Sequence, residues 1–156
     1  MKNNFCFLLP VSLFVGVLTT LFGSRPAVAD EVWTTEEYDV TYLEDRDRTA
    51  IWTYGTEKAT VGTIFIDGLA GVFTDRGSYG GYWVQESSSR RCDTFREDIN
   101  GDRAYYWGRF DITFIDPDFP SRWEASFGLC DGETPITLTG TPVSLLFDDS
   151  ELETSE

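Results

Sequence analysis

The sequence predicts an all-β fold: a small antiparallel meander of about eight strands closing into a barrel. Three observations predict it. Turn signals recur at intervals of about ten residues. The segments between them are rich in Trp, Tyr, Phe, Ile, Val and Thr, residues that suit a pleated, half-buried surface. No helical periodicity is sustained after the N-terminal apolar run. A β-sandwich would satisfy the same observations and is the alternative.

The chain opens on what reads as a leader. Lys2 supplies the one early positive charge, Phe5 to Phe22 is almost wholly apolar, and Ala27-Val28-Ala29 gives the small-x-small pattern of a signal-peptidase site. Residues 1–29 are therefore expected to be a cleaved signal peptide. The competing reading, a membrane anchor, has enough apolar length but lacks flanking charge. Cys6 precedes the apolar run, the wrong side for a lipid-modified cysteine. The expected organisation is one barrel or sandwich domain over 30–147 and an acidic, disordered tail over 148–156. The expected location is secreted or periplasmic, without membrane insertion after cleavage.

Cleavage after Ala29 leaves 10 basic against 27 acidic residues, a net charge of −17. Such a surface repels phosphate backbones and anionic headgroups, which argues against nucleic acid and membrane partners. Cations, basic proteins and neutral sugars remain compatible. The sequence has no histidine, which excludes Ser-His-Asp and Cys-His catalysis and His-ligated metals. Lys58 is the one lysine after the leader, so a Ser-Lys dyad or Schiff base would have to use it. No cofactor is expected.

In order, the expected strands are Glu37 to Leu43, Thr49 to Tyr54, Thr60 to Ile66, Gly71 to Thr74, Tyr79 to Glu86, Tyr105 to Ile115, Arg122 to Leu129 and Ile136 to Thr141, with Ser144 to Phe147 a possible extension. Thr60 to Ile66 is apolar on both faces, which points to a strand covered on both sides. Gly80 and Gly81 interrupt a good strand sequence and read as a bend or a close approach of backbone or ring. Tyr105 to Ile115 and Arg122 to Leu129 form a hairpin. Pairing Phe114 with Trp123 also pairs Ile112 with Ala125 and Phe110 with Phe127, whereas a slip of one residue would bury Arg109 and Asp111.

Cys92 and Cys130 remain after cleavage, and an even pair in an exported chain predicts a disulfide. Cys92 sits in the longest irregular segment, Glu86 to Arg103, which the bridge would tether. Parity counting places the Cys130 loop at the same end as this segment. Carried further, the count adds the Glu44–Arg48 and Asp67–Gly68 turns, giving one acidic mouth attractive to cations. Within the tethered segment, Asp98, Asn100 and Asp102 match the opening of a calcium loop. Arg103 and Arg109 then stand where that loop needs glycine and glutamate, and an Asn-Gly turn explains the same residues.

Most aromatic residues are expected in the core. The expected exceptions are Trp33, ahead of the first strand, and Tyr105, Tyr106 and Trp107 beside the tethered segment. Trp107 shares the outward parity of Arg109, so Tyr105, Trp107 and Arg109 form the candidate ligand surface. In length, strand count and the texture of GGYW (80–83) and YYWG (105–108), the chain resembles the lipocalin and avidin classes of exported ligand-binding barrels. That resemblance implies a barrel and no particular binding residue. The expected function is a non-enzymatic binding protein for a small molecule or glycan. The alternatives are a protein-protein or inhibitor module using an exposed patch at Phe95, Tyr105 and Trp107, and a carboxylate-based hydrolase.

Overall fold

A computed structural model describes residues 31–56 and 58–143. The expected leader, the Ser144 to Phe147 extension and the acidic tail lie outside the described residues. The strands are β1 (Val32–Thr34), β2 (Asp39–Arg46), β3 (Thr49–Thr56), β4 (Ala59–Asp67), β5 (Ser78–Gln85), β6 (Arg96–Glu97), β7 (Arg103–Ala104), β8 (Trp107–Phe114), β9 (Trp123–Phe127) and β10 (Ile136–Pro142).

Eight of them, all but β6 and β7, make a closed antiparallel barrel in the order β1-β10-β9-β8-β5-β4-β3-β2. Each barrel strand pairs with its neighbours along the chain, and β1 closes the circle by pairing with both β2 and β10. The fold is therefore an up-and-down barrel, not the alternative sandwich. Closure removes the exposed edges that an open sheet would present. β8 and β9 pair in the expected register, Phe114 with Trp123, Ile112 with Ala125 and Phe110 with Phe127.

Three expectations are corrected: a strand, the setting of Trp33 and the acidic mouth. Gly71 to Thr74 is not a strand; it belongs to the long connection between β4 and β5. The missing strand is β1, too short to show an alternating pattern, and Trp33 within it is a core residue with 1% of its surface exposed. Counting the false strand displaced every earlier turn by one end. The β2–β3 and β4–β5 turns therefore lie at the end opposite the Cys130 loop, and no single acidic mouth is formed.

The core has two compartments. Inward-facing residues, among them Trp52, Ile64, Phe110 and Trp123, fill the barrel. A second cluster of Ile51, Phe65, Val84, Cys92 and Trp107 lies outside the wall, with Ile99 and Ala104 packed against it. Its cover is the segment between β5 and β8, which folds back as the β6–β7 ribbon. This explains the two apolar faces of β4: Ile64 and Ile66 face the barrel, and Phe65 faces the cover. Tyr82 stacks on Phe65 at 4.7 Å and donates to the Glu97 carbonyl, while Arg46 donates to the Ile99 carbonyl. The Cys92–Cys130 disulfide forms and ties the cover to the β9–β10 connection. Such a bond persists in oxidising compartments, consistent with an extracellular setting.

A candidate ligand cavity at one end of the barrel

The two ends of the barrel differ. At one end Trp33 and Trp52 stack at 4.5 Å, and Trp123 packs against both. Trp33 Nε1 donates to the Ser121 carbonyl. Above these rings Arg76 is fully buried. It donates to Glu31 Oε1 at 2.6 Å, to Ser121 Oγ and to the Val72 carbonyl, and lies over the rings of Phe114 and Phe73. A buried guanidinium requires such a set of partners. This end is plugged.

The other end is hollow. A cavity of about 320 Å³ opens between the β1–β2, β5–β8 and β9–β10 connections, at the small end of the range for small-molecule sites. Val40, Ile64, Phe110 and Leu138 line it deeper in, with the Trp123 ring among the lining. Tyr38, Tyr54, Trp83 and Phe127 add aromatic surface, and Glu37, Gln85, Ser88 and Ser89 add polar groups.

Glycines on neighbouring strands make room for three of the inward rings. Three inward aromatic rings sit cross-strand from glycine: Tyr54 opposite Gly62, Trp83 opposite Gly108 and Trp123 opposite Gly140. A Cβ at any of these glycines would collide with the ring opposite. Tyr54 and Trp83 contact their facing glycines beside the cavity, and Trp123 does the same over Gly140 while packing on Trp33 and Trp52, the large-small complementarity that small barrels use. The Trp83 ring is fixed there by donation from Nε1 to the Gly128 carbonyl at 3.0 Å. Burial raises the Tyr54 hydroxyl above the ordinary tyrosine range, with a hydrogen bond to Gln85 acting the other way. It is a neutral hydroxyl at physiological pH.

The residues singled out from sequence lie elsewhere. Trp107 does have outward parity, but it is 0% exposed, a correction to the expected open ring. The cover buries it, its Nε1 donates to the Thr94 carbonyl, and Arg96 lies 4.3 Å from its ring. Tyr105 is half-buried, with Arg91 over its ring at 3.9 Å and Phe95 against it at 6.2 Å. Arg109 is exposed on the outer face, 3.6 Å from Asp111. The three form no common pocket and stand on the opposite face of the wall from the cavity. Asp98 Oδ1 accepts from the Asn100 and Asp102 amides, so this carboxylate closes the β6–β7 turn. Among the described residues no cluster of three or more acidic or cysteine side chains could hold a metal.

A second hollow, about 720 Å³, lies outside the wall between β4, β5 and the cover. Arg91, Arg103, Glu86 and Asp98 line it together with Val61, Val84 and Ile99, so it mixes both charges with apolar surface. Sequence reasoning missed the barrel cavity because its lining comes from single inward positions on most of the barrel strands. The available signal was Gly62, Gly108 and Gly140, which the sequence reading passed over; it took only Gly80 and Gly81 as a bend or close approach, and Gly81 lies against the Phe65 backbone. Comparison with protein-family models, curated proteins and solved structures gives no match for this chain.

Proposed function

We propose that this chain is an exported, non-enzymatic carrier, secreted or periplasmic, that holds one small apolar or aromatic molecule in the open half of its barrel. The observation that carries the reading is the cavity itself. An eight-stranded barrel has just enough interior to be filled by its own side chains, and here a cavity of about 320 Å³ remains at one end. Its walls offer apolar surface to bury and a few polar groups near the mouth to orient a ligand, the usual composition of a small-molecule site.

The alternatives have weaker support. Glu37 is the one carboxylate among the residues lining the cavity, whereas a glycosidase-type hydrolase needs a facing pair. A glycan or protein surface at Tyr105 would have to displace Arg91 from the ring. Phe95 is exposed, but Trp107 beside it is not.

The test is titration with a neutral apolar fluorophore such as N-phenyl-1-naphthylamine, against the parent and against Leu138→Trp, which fills the cavity. Saturable one-to-one binding that Leu138→Trp abolishes, with the unfolding transition unchanged, supports the carrier. Binding that is absent, unsaturable or indifferent to the filled cavity overturns it. Native mass spectrometry of the protein from its own source would then identify what it retains.

A further inference from the structure

Resting on the carrier reading, we infer that the cavity selects organic cations: an amine or quaternary ammonium whose apolar body enters the barrel and whose charge stays at the mouth. Three independent features point this way. None of the residues lining the cavity is basic, while Glu37 stands at its mouth with no ion-pair partner among the described residues. An anionic head would have to shed water there without a compensating charge, which disfavours carboxylates and phosphates.

The second feature is aromatic. Tyr38 and Tyr54 meet edge to face at 5.6 Å, and both line the cavity along with Trp83. Ring faces attract cations through their quadrupoles, and quaternary ammonium groups are recognised by such surfaces. Tyr54 and Trp83 are held in place against Gly62 and Gly108, so the aromatic lining is fixed before a ligand enters. Deeper residues such as Ile64, Phe110 and Leu138 are apolar and suit an uncharged body.

The third is the field of the whole molecule. A formal charge of −15 raises the local concentration of cations around the chain and lowers that of anions. The basic residues nearest in sequence to the rim, Arg90 and Arg91, follow Ser88 and Ser89. Arg91 is engaged on the outer wall over Tyr105.

A shape-matched series separates charge from fit: benzyltrimethylammonium, neutral neopentylbenzene and phenylmethanesulfonate, each displacing N-phenyl-1-naphthylamine from the full mature protein. The cation is expected to bind about tenfold more tightly than the neutral isostere, from ring contact and rim charge together. The sulfonate is expected to bind weakest. Glu37→Gln should lower the cation's advantage by about threefold and leave neopentylbenzene unaffected, and added salt should act in the same direction. Equal or tighter binding of the neutral compound, or strongest binding of the sulfonate, overturns cation selection while leaving the carrier intact. Failure of all three probes and of the fluorophore overturns the carrier reading itself.

Discussion

At one end of the barrel Trp33, Trp52 and Trp123 meet one another and leave no room; at the other, Tyr54 and Trp83 line a hollow. Both halves use large aromatic residues on inward positions, and β3 supplies one to each, Trp52 and Tyr54. The difference lies in how the rings meet one another. Tyr54 and Trp83 face glycines, as Trp123 does at the plug, whereas Trp52 pairs across β3 and β4 with Ile64 and packs against Trp33 and Trp123. The plugged end also carries the buried Arg76–Glu31 pair, and the open end has no counterpart among the described residues. The plug thus holds the ring stack and the buried ion pair, and the other end holds the cavity.

The sharpest way to break this division is at the plug. Arg76→Ala leaves Glu31 buried without its cation, and breaking such a pair costs about 3 to 5 kcal/mol. Urea unfolding should register that loss in full. Replacing both partners with apolar residues, Arg76→Met with Glu31→Leu, should recover most of it, because the desolvation cost of both charges disappears together. If the single variant is as stable as the parent, the plug is not where the stability resides.

The tether comes next. Opening a loop of sequence separation 38 by Cys92→Ala with Cys130→Ala is expected to cost about 2 to 4 kcal/mol. Its local effect should fall on the cover. Amide exchange should accelerate at Thr94 to Tyr105, whose packing on Trp107 and Phe65 depends on the segment staying down, and not at Trp33 or Trp52. Uniform acceleration would mean that cover and barrel unfold as one unit.

A smaller pair of variants compares the halves directly. Ile112→Ala, fully buried toward the plug, is expected to cost about 2 to 5 kcal/mol. Leu138→Ala removes a half-buried side chain that already borders a void, so its cost should be about 1 kcal/mol. Fluorophore binding should respond the other way, weakened by Leu138→Ala and little altered by Ile112→Ala. Equal destabilisation by the two would make the barrel interior uniform.

Much of this architecture was legible in the sequence, for reasons that can be assigned to particular residues. The alternation through Phe110, Ile112 and Phe114 against Trp123, Ala125 and Phe127 specifies its own register, since any slip buries charge. The Cys92–Cys130 bridge was legible from an even pair of cysteines in a chain read as exported, and the meander's parity agrees with it. Val32–Thr34 was illegible because a strand of 3 residues carries no period. Trp107 was misjudged as open because parity gives the face of a wall and not what lies on it. Here the cover, polar and irregular in sequence, buries an outward ring through Arg96 and the Thr94 carbonyl. The cavity was illegible for a related reason: it is a property of facing pairs around a closed circle, and no single strand contains it.

The finest test uses a proton. Burial raises the hydroxyls of Tyr54, in the open half, and Tyr42, toward the plug, above their ordinary value of 10.0. For Tyr42, the Asp45 carboxylate that accepts its hydrogen adds to the same direction. A raised folded value means that the native state holds its proton more tightly than the unfolded chain. The stabilisation is complete below pH 10.0 and is lost as the pH climbs through the folded value. The protein should therefore lose stability progressively on the alkaline side of pH 10.0, with Tyr42, Tyr54 and Tyr82, whose hydroxyl burial also raises, contributing to the slope. Tyr54→Phe should flatten that slope while costing about 1 kcal/mol near neutrality, the worth of one hydroxyl contact. A saturating cavity ligand should protect Tyr54 and leave Tyr42 titrating as before, so ultraviolet difference titration of the parent and Tyr54→Phe would read the two halves separately. If the ligand shifts both tyrosines together, plug and cavity are coupled and the division between them fails.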